Sequence, residues 1–140
     1  MTFAEKLRNA RTRLGMSQKE LARKANVNIR TITNYESGER VPKKQQTYDD
    51  LAFALGVTVE SLKDDQSDFV VKAQEQYGRR GSQQAEDVVR AFRVAAAGGE
   101  LDDDDLDFIK DAMMQTYWDA KEYNRRFANR KRKSDSGSEN

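Results

Sequence analysis

The chain is predicted to be all-α: a five-helix domain over residues 1–65, a C-terminal helical region of about three helices over residues 66–130, and a disordered tail over residues 131–140. Three observations predict this. Apolar residues recur at three- and four-residue steps along most of the chain, the period of an amphipathic helix. Glycines and helix-capping residues punctuate those stripes at short intervals. No segment shows a strand pattern, and no internal repeat is evident.

The elements follow in order. "TFAEKLRNARTRLG" places Phe3, Leu7, Ala10 and Leu14 on one stripe, and Gly15 stops this first helix. In "SQKELARKA", Ser17 stands three residues before Glu20, the spacing of a capping box, so a second helix starts there and buries Leu21, Ala22 and Ala25. "NVN" interrupts it: Asn26 tolerates the left-handed conformation, and Asn28 can cap a third helix running from about Ile29 to Glu36. "SGERVPKK" is a turn with a basic exit. "QQTYDDLAFALG" forms a fourth helix with Tyr48, Leu51, Ala52 and Leu55 on one face, and "VTVESL" a short fifth capped by Thr58. "KDDQSD" reads as a polar linker.

Beyond it, "FVVKAQEQYG" is a helix ending at Gly78. "SQQAEDVVRAFRVAAAGG" is another, starting near Ser82, with Val88, Val89, Phe92 and Val94 supplying apolar contacts. The last helix begins near "LDDDD" and carries Leu106, Ile109, Met113, Thr116, Ala120 and Tyr123 as a stripe, widened by Phe108, Ala112 and Tyr117.

Composition narrows the function. Of the 140 residues 35% are charged and 36% hydrophobic, with a single proline, which fits a soluble, helix-rich protein with a modest core. Cysteine and histidine are absent, which removes disulfides, thiolate chemistry, Cys/His metal sites and histidine general bases. No nucleophile-base pair, phosphate loop or metal cluster can be assembled, so neither an enzyme nor a cofactor is expected. No apolar run approaches the roughly 20 residues that span a bilayer, and "MTFAEKLRNA" holds no apolar signal stretch, so a cytoplasmic location is expected. The net charge of +1 hides an asymmetry: residues 1–63 carry +5, residues 64–120 carry −8 and residues 121–140 carry +4.

The second and third helices, joined by a three-residue turn, fit a helix-turn-helix. "SQKELARKANVNIRTITNYESGERVP" followed by "LAFALGVTVESL" resembles the phage-repressor-like Cro/XRE helix-turn-helix family over about residues 3–63. The resemblance rests on the Ser-Gln-x-Glu-Leu-Ala opening, Val27, Ile32, the Tyr35-Glu36 pair, Gly38 and Pro42. Asn26 stands where the family often has glycine, a departure the left-handed turn tolerates. The resemblance implies a five-helix lambda-repressor-like DNA-binding domain with helix 28–37 in the major groove. It also implies that Gln18 touches a phosphate or an outer base.

The residue chemistry supports that docking. With Val27, Ile32 and Tyr35 inward, Asn28, Ile29, Arg30, Thr33 and Asn34 face out as base-contact candidates. Arg can bond guanine O6 and N7 together, Asn can do the same to adenine N6 and N7, and the Ile29 side chain or the Thr33 methyl suits a thymine methyl. Ser17, Gln18, Lys19, Arg40, Lys43 and Lys44 are the candidates for the sugar-phosphate backbone.

Other motifs are read more plainly. "DDDD" at 102–105 lacks the spacing of a calcium loop and complements a helix dipole, so no metal is assigned. "YWDAKEYNRRF" is expected as core or subunit interface rather than a peptide cleft. The cations of "RRFANRKRK" suit a helix C-terminus. The expectation is therefore a sequence-specific regulator, a repressor binding a palindromic operator in double-stranded DNA as a homodimer. The rival is an antitoxin-type interaction protein whose C-terminal helices bind a regulatory protein partner, with DNA binding serving autoregulation.

Overall fold

Caps written into the sequence set where the helices begin. The computed structural model describes residues 1–137, with side chains through Ala128, and its regular structure there is entirely helical. The elements are α1 (Phe3–Arg13), α2 (Gln18–Lys24), α3 (Ile29–Ser37), α4 (Gln45–Leu55), α5 (Val59–Leu62), α6 (Ser67–Ala97) and α7 (Asp103–Gly137). Thr2 caps α1 in a complete capping box with Glu5. Ser17 accepts a bond from the Glu20 amide at 3.0 Å, Asn28 from the Arg30 amide at 2.8 Å, and Thr58 from the Ser61 amide at 3.2 Å. Each cap satisfies a donor that the first helical turn leaves unpaired. The turn between α2 and α3 passes through Asn26 at φ 56°, the left-handed conformation expected of it.

Two compact units result, one from Met1 to Asp87 and one from Val88 onward. The first is built around Phe3, which is fully buried and meets Tyr35 and Tyr48 edge-on at 5.6 and 5.4 Å. Leu7, Leu21, Ile32, Leu51, Leu55 and Leu62 complete the core, drawing one face from each of α1 to α5. Helix α3 packs on both α1 and α2.

One polar contact lies inside this apolar frame. The Arg11 guanidinium on α1 grips Glu36 on α3, Nε to Oε2 at 2.9 Å and the second nitrogen to Oε1 at 2.8 Å, and also donates to the Met16 carbonyl at 2.8 Å. The Glu36 side chain is 2% exposed and that of Arg11 12%. A bidentate fork of this kind fixes both distance and orientation between the two helices.

The structure corrects several expectations. Leu14 is exposed rather than core, because α1 ends at Arg13; the chain turns at Leu14 and Gly15, and Met16 is buried instead. The first compact unit runs from Met1 to Asp87, and Val71 of α6 joins the core formed by α1 to α5. The segment "KDDQSD" is accordingly a clasp rather than a linker. Asp64 accepts from the Phe3 amide at 3.1 Å and from Ser67 Oγ at 3.0 Å, while Lys63 reaches Gln45 at 2.7 Å and Asp68 at 3.0 Å. The two helices expected on either side of Gly78 adjoin directly there, with Gly78 at φ 72°, ψ −162° as the break between them.

In the second unit Val89 and Tyr117 are buried, whereas Val94, Phe108 and Tyr123 are exposed, leaving much of the apolar stripe uncovered. Asp102 caps α7 by accepting from the Asp105 amide at 2.8 Å, and Asp103, Asp104 and Asp105 occupy its first turn. Trp118 meets Tyr117 edge-on at 5.1 Å. α7 continues to Gly137, past residue 131 where a disordered tail was expected, and Lys131, Arg132 and Lys133 there are good helix formers. Residues 138–140 of that expected tail lie outside the described residues.

Replacing Glu36 by Gln should leave a buried guanidinium without its counter-charge and cost about 3 to 5 kcal/mol, read as a lowered urea midpoint. A chain ending at residue 87 should keep the stability of the first unit. One ending at residue 65 should lose about 2 kcal/mol or more with the Val71 packing and the Asp64 clasp, measured in the same titration.

Candidate nucleic-acid interface

The outward face of α3 is defined by what its other face buries. Ile32 and Tyr35 point into the core, with Ile32 fully enclosed. Burial pushes the Tyr35 hydroxyl up to about 12, with Glu86 adding to the effect, so the ring stays neutral at any working pH. Asn28, Ile29, Arg30 and Thr33 are then exposed and Asn34 half-buried, all on α3 or its cap.

These residues differ in what they have left to offer. Asn28 uses its carbonyl oxygen as the cap of α3, so its amide nitrogen is the group that can address a ligand. The Thr33 hydroxyl lies 3.1 Å from the Ile29 carbonyl and 3.2 Å from Gln18 Oε1, which ties Gln18 of α2 to α3. Ile29 is 47% exposed, an uncommon position for so apolar a side chain on a short polar face. Ser17 and Lys19 are exposed at the start of α2.

The loop after α3 brings most of the remaining candidates to the same place. The Arg40 amide bonds back to the Asn34 carbonyl at 3.3 Å, and Gly38 ends α3 in the left-handed conformation. A cleft of about 560 Å3 results, lined by Arg30, Asn34, Arg40, Lys43 and Lys44 together with Tyr35. Four cations and an amide around one open groove suit a polyanion. They are not equivalent. Arg40 and Lys44 are exposed, whereas Lys43 is half-buried with its ammonium 3.7 Å from Glu86, a buried carboxylate on α6.

The sequence pointed to the residues on this face but gave no role to those behind it: Arg11, Glu36 and Glu86. A signal for Glu36 exists. It stands four residues after Ile32 and so shares the buried side of α3, where a carboxylate needs a partner. Nothing local marks Glu86, which is separated from Lys43 by more than forty residues of chain.

Among the described residues no helix is long and apolar enough to cross a membrane, and no group of acidic residues is placed to hold a metal ion. The protein-family model described as helix-turn-helix matches residues 7–62, the stretch that contains α2, α3 and the cationic loop. No curated protein and no solved structure matches the chain significantly. Residues 7–62, two fifths of the chain, thus resemble the helix-turn-helix domain of Cro/C1-type DNA-binding transcription regulators.

Proposed function

We propose that the protein is a sequence-specific repressor that binds a palindromic operator as a homodimer, with α3 in the major groove. The carrying observation is the continuity of the α3 outward face with the cationic cleft: base-reading and phosphate-holding groups share one surface. Arg30 and Asn34 read base edges through paired hydrogen bonds, and Ile29 and the Thr33 methyl meet thymine methyls. Asn28 contributes its amide nitrogen from the cap. Arg40 and Lys44 hold phosphates on one side of α3, and Ser17, Gln18 and Lys19 at the α2 N-terminus hold them on the other, where backbone amides add to the attraction. Lys43 is shared between the backbone and Glu86. Such a regulator acts without catalysis and works where the DNA is, in the cytoplasm.

Dimerisation follows from energetics. A single domain of this size buries little surface on DNA, and two joined domains on two half-sites add their contributions. The exposed apolar face of α7 supplies a surface for the joining. The same face favours one other reading, an antitoxin-type protein whose C-terminal helices capture a different protein. Purification from the native cell separates the two: a homodimer alone supports the repressor, and a stoichiometric second protein supports the antitoxin.

Binding titrations at several salt concentrations, on a selected operator, its single-base variants and random duplex, test the docking. Arg30→Ala and Asn34→Ala should each cost about 1 to 3 kcal/mol on the operator and relax preference at one base position. Lys44→Ala should weaken operator and random DNA alike and lower the salt slope by about one unit. Equal losses on every sequence for the first two variants would show that α3 does not read bases.

A further inference from the structure

We infer that α7 pairs with α7 of a second copy of this chain in an antiparallel coiled coil, in a register set by its charges. The inference deepens the dimer reading above and rests on it.

The second unit leaves an apolar groove of about 420 Å3 along α7, and Phe108, Tyr123 and Phe127 beside or beyond it are 75%, 70% and 61% exposed. Aromatic side chains in such number do not stay in water at one face of a helix without a partner surface. The period of the stripe says what kind of partner fits. Leu106, Ile109, Met113, Thr116, Ala120 and Tyr123 follow one another at alternating steps of three and four, and Phe127 continues the series. That is a seven-residue repeat held for three turns of the pattern, the spacing that packs one helix against another with a left-handed supercoil.

Charge selects orientation. The beginning of α7 carries Asp102, Asp103, Asp104 and Asp105, and its later part carries Lys121, Arg125 and Arg126. A parallel pair would stack the acidic ends on each other and the basic ends on each other. An antiparallel pair sets each acidic end against a basic one, and a two-fold axis makes the arrangement identical for both copies.

Volume and charge together select the register. In an antiparallel pair three registers, each one heptad from the next, align the stripes. The first places Leu106 opposite Tyr123, Ile109 opposite Ala120 and Met113 opposite Thr116, a larger residue facing a smaller one in the two inner layers. On the flank of that seam Asp105 of each copy then faces Arg126 of the other. Sliding one heptad one way sets Asp119 against Asp119 of the second copy, and sliding one heptad the other way sets Asp105 against Asp119, like charges in both. The first register is therefore the assigned one.

The chain has no cysteine, so single cysteines can carry spin labels in the full-length protein. Asp104→Cys and Asp111→Cys are both at exposed positions on the side of α7 away from the seam. In the antiparallel register, labels at 104 in the two copies lie about 30 Å apart along the helix axis, and labels at 111 about 10 Å apart, at a rise of roughly 1.5 Å per residue. Pulsed distance measurements showing that difference support the pairing. Equal short distances at both positions mean a parallel pair, and long distances at both mean a dimer formed elsewhere; either overturns this inference and leaves the dimer reading intact. A chain that stays monomeric at micromolar concentration, or whose α7 is covered by a different co-purified protein, overturns both. As a second arm, Arg126→Glu should weaken self-association roughly tenfold through two symmetry-related contacts, and Asp105→Arg in the same chain should restore it. Failure of the double variant to recover any affinity counts against the assigned register.

Discussion

The Arg11–Glu36 ion pair is the constraint on which the DNA-facing geometry depends. α3 is nine residues long, too short to be stable or oriented on its own propensity. Its apolar contribution to the core comes chiefly from Ile32 and Tyr35, which decide the face that turns inward. The bidentate grip of Arg11 on Glu36 fixes that orientation from the inner side of the helix. Because the guanidinium also donates to the Met16 carbonyl, one side chain ties α1, the turn before α2 and α3 together. A buried ion pair adds little net stability compared with apolar groups of equal volume, but it is costly to break on one side. Its geometry is what positions Arg30, Thr33 and Asn34 as an outward set.

A second layer of polar contacts binds the start of α6 to the same unit. Asp64, Lys63 and Ser67 close the chain onto the first turn of α1 and onto α4, so that the polar segment after α5 is held rather than loose. Further along α6, Glu86 stands close to Lys43 and influences Tyr35. The charge of the cleft is therefore graded. Arg40 and Lys44 present their full charge to solvent, while Lys43 faces a carboxylate that lies behind the loop. Any phosphate approaching this edge meets a positive surface partly balanced by the protein itself.

The second unit has a different economy. Its acidic turn is spent on capping α7 and complementing the helix dipole, and only part of its apolar stripe is covered within the unit. A long helix with an uncovered heptad stripe and opposite charges at its two ends carries the elements of a self-complementary surface in its primary structure.

What the sequence determined by itself was whatever depends on neighbours within a few residues. Thr58, Ser17 and Asn28 cap the helices they were expected to cap, Asn26 takes the left-handed turn, and Ile32, Tyr35, Tyr48 and Leu51 are buried, because caps, turns and amphipathic periods are local properties of the chain. The exposed set on α3 was legible for the same reason, once its buried face was known. Only the tertiary structure decided the rest. Leu14 left the core because the helix ended one residue before it; Val71 entered the core because α6 folds back on the first five helices. Arg11 met Glu36, and Lys43 met Glu86, across 25 and 43 positions of sequence. A charge finds its partner through the folded arrangement of helices, and no pattern of spacing along one helix records which distant side chain will be there to receive it.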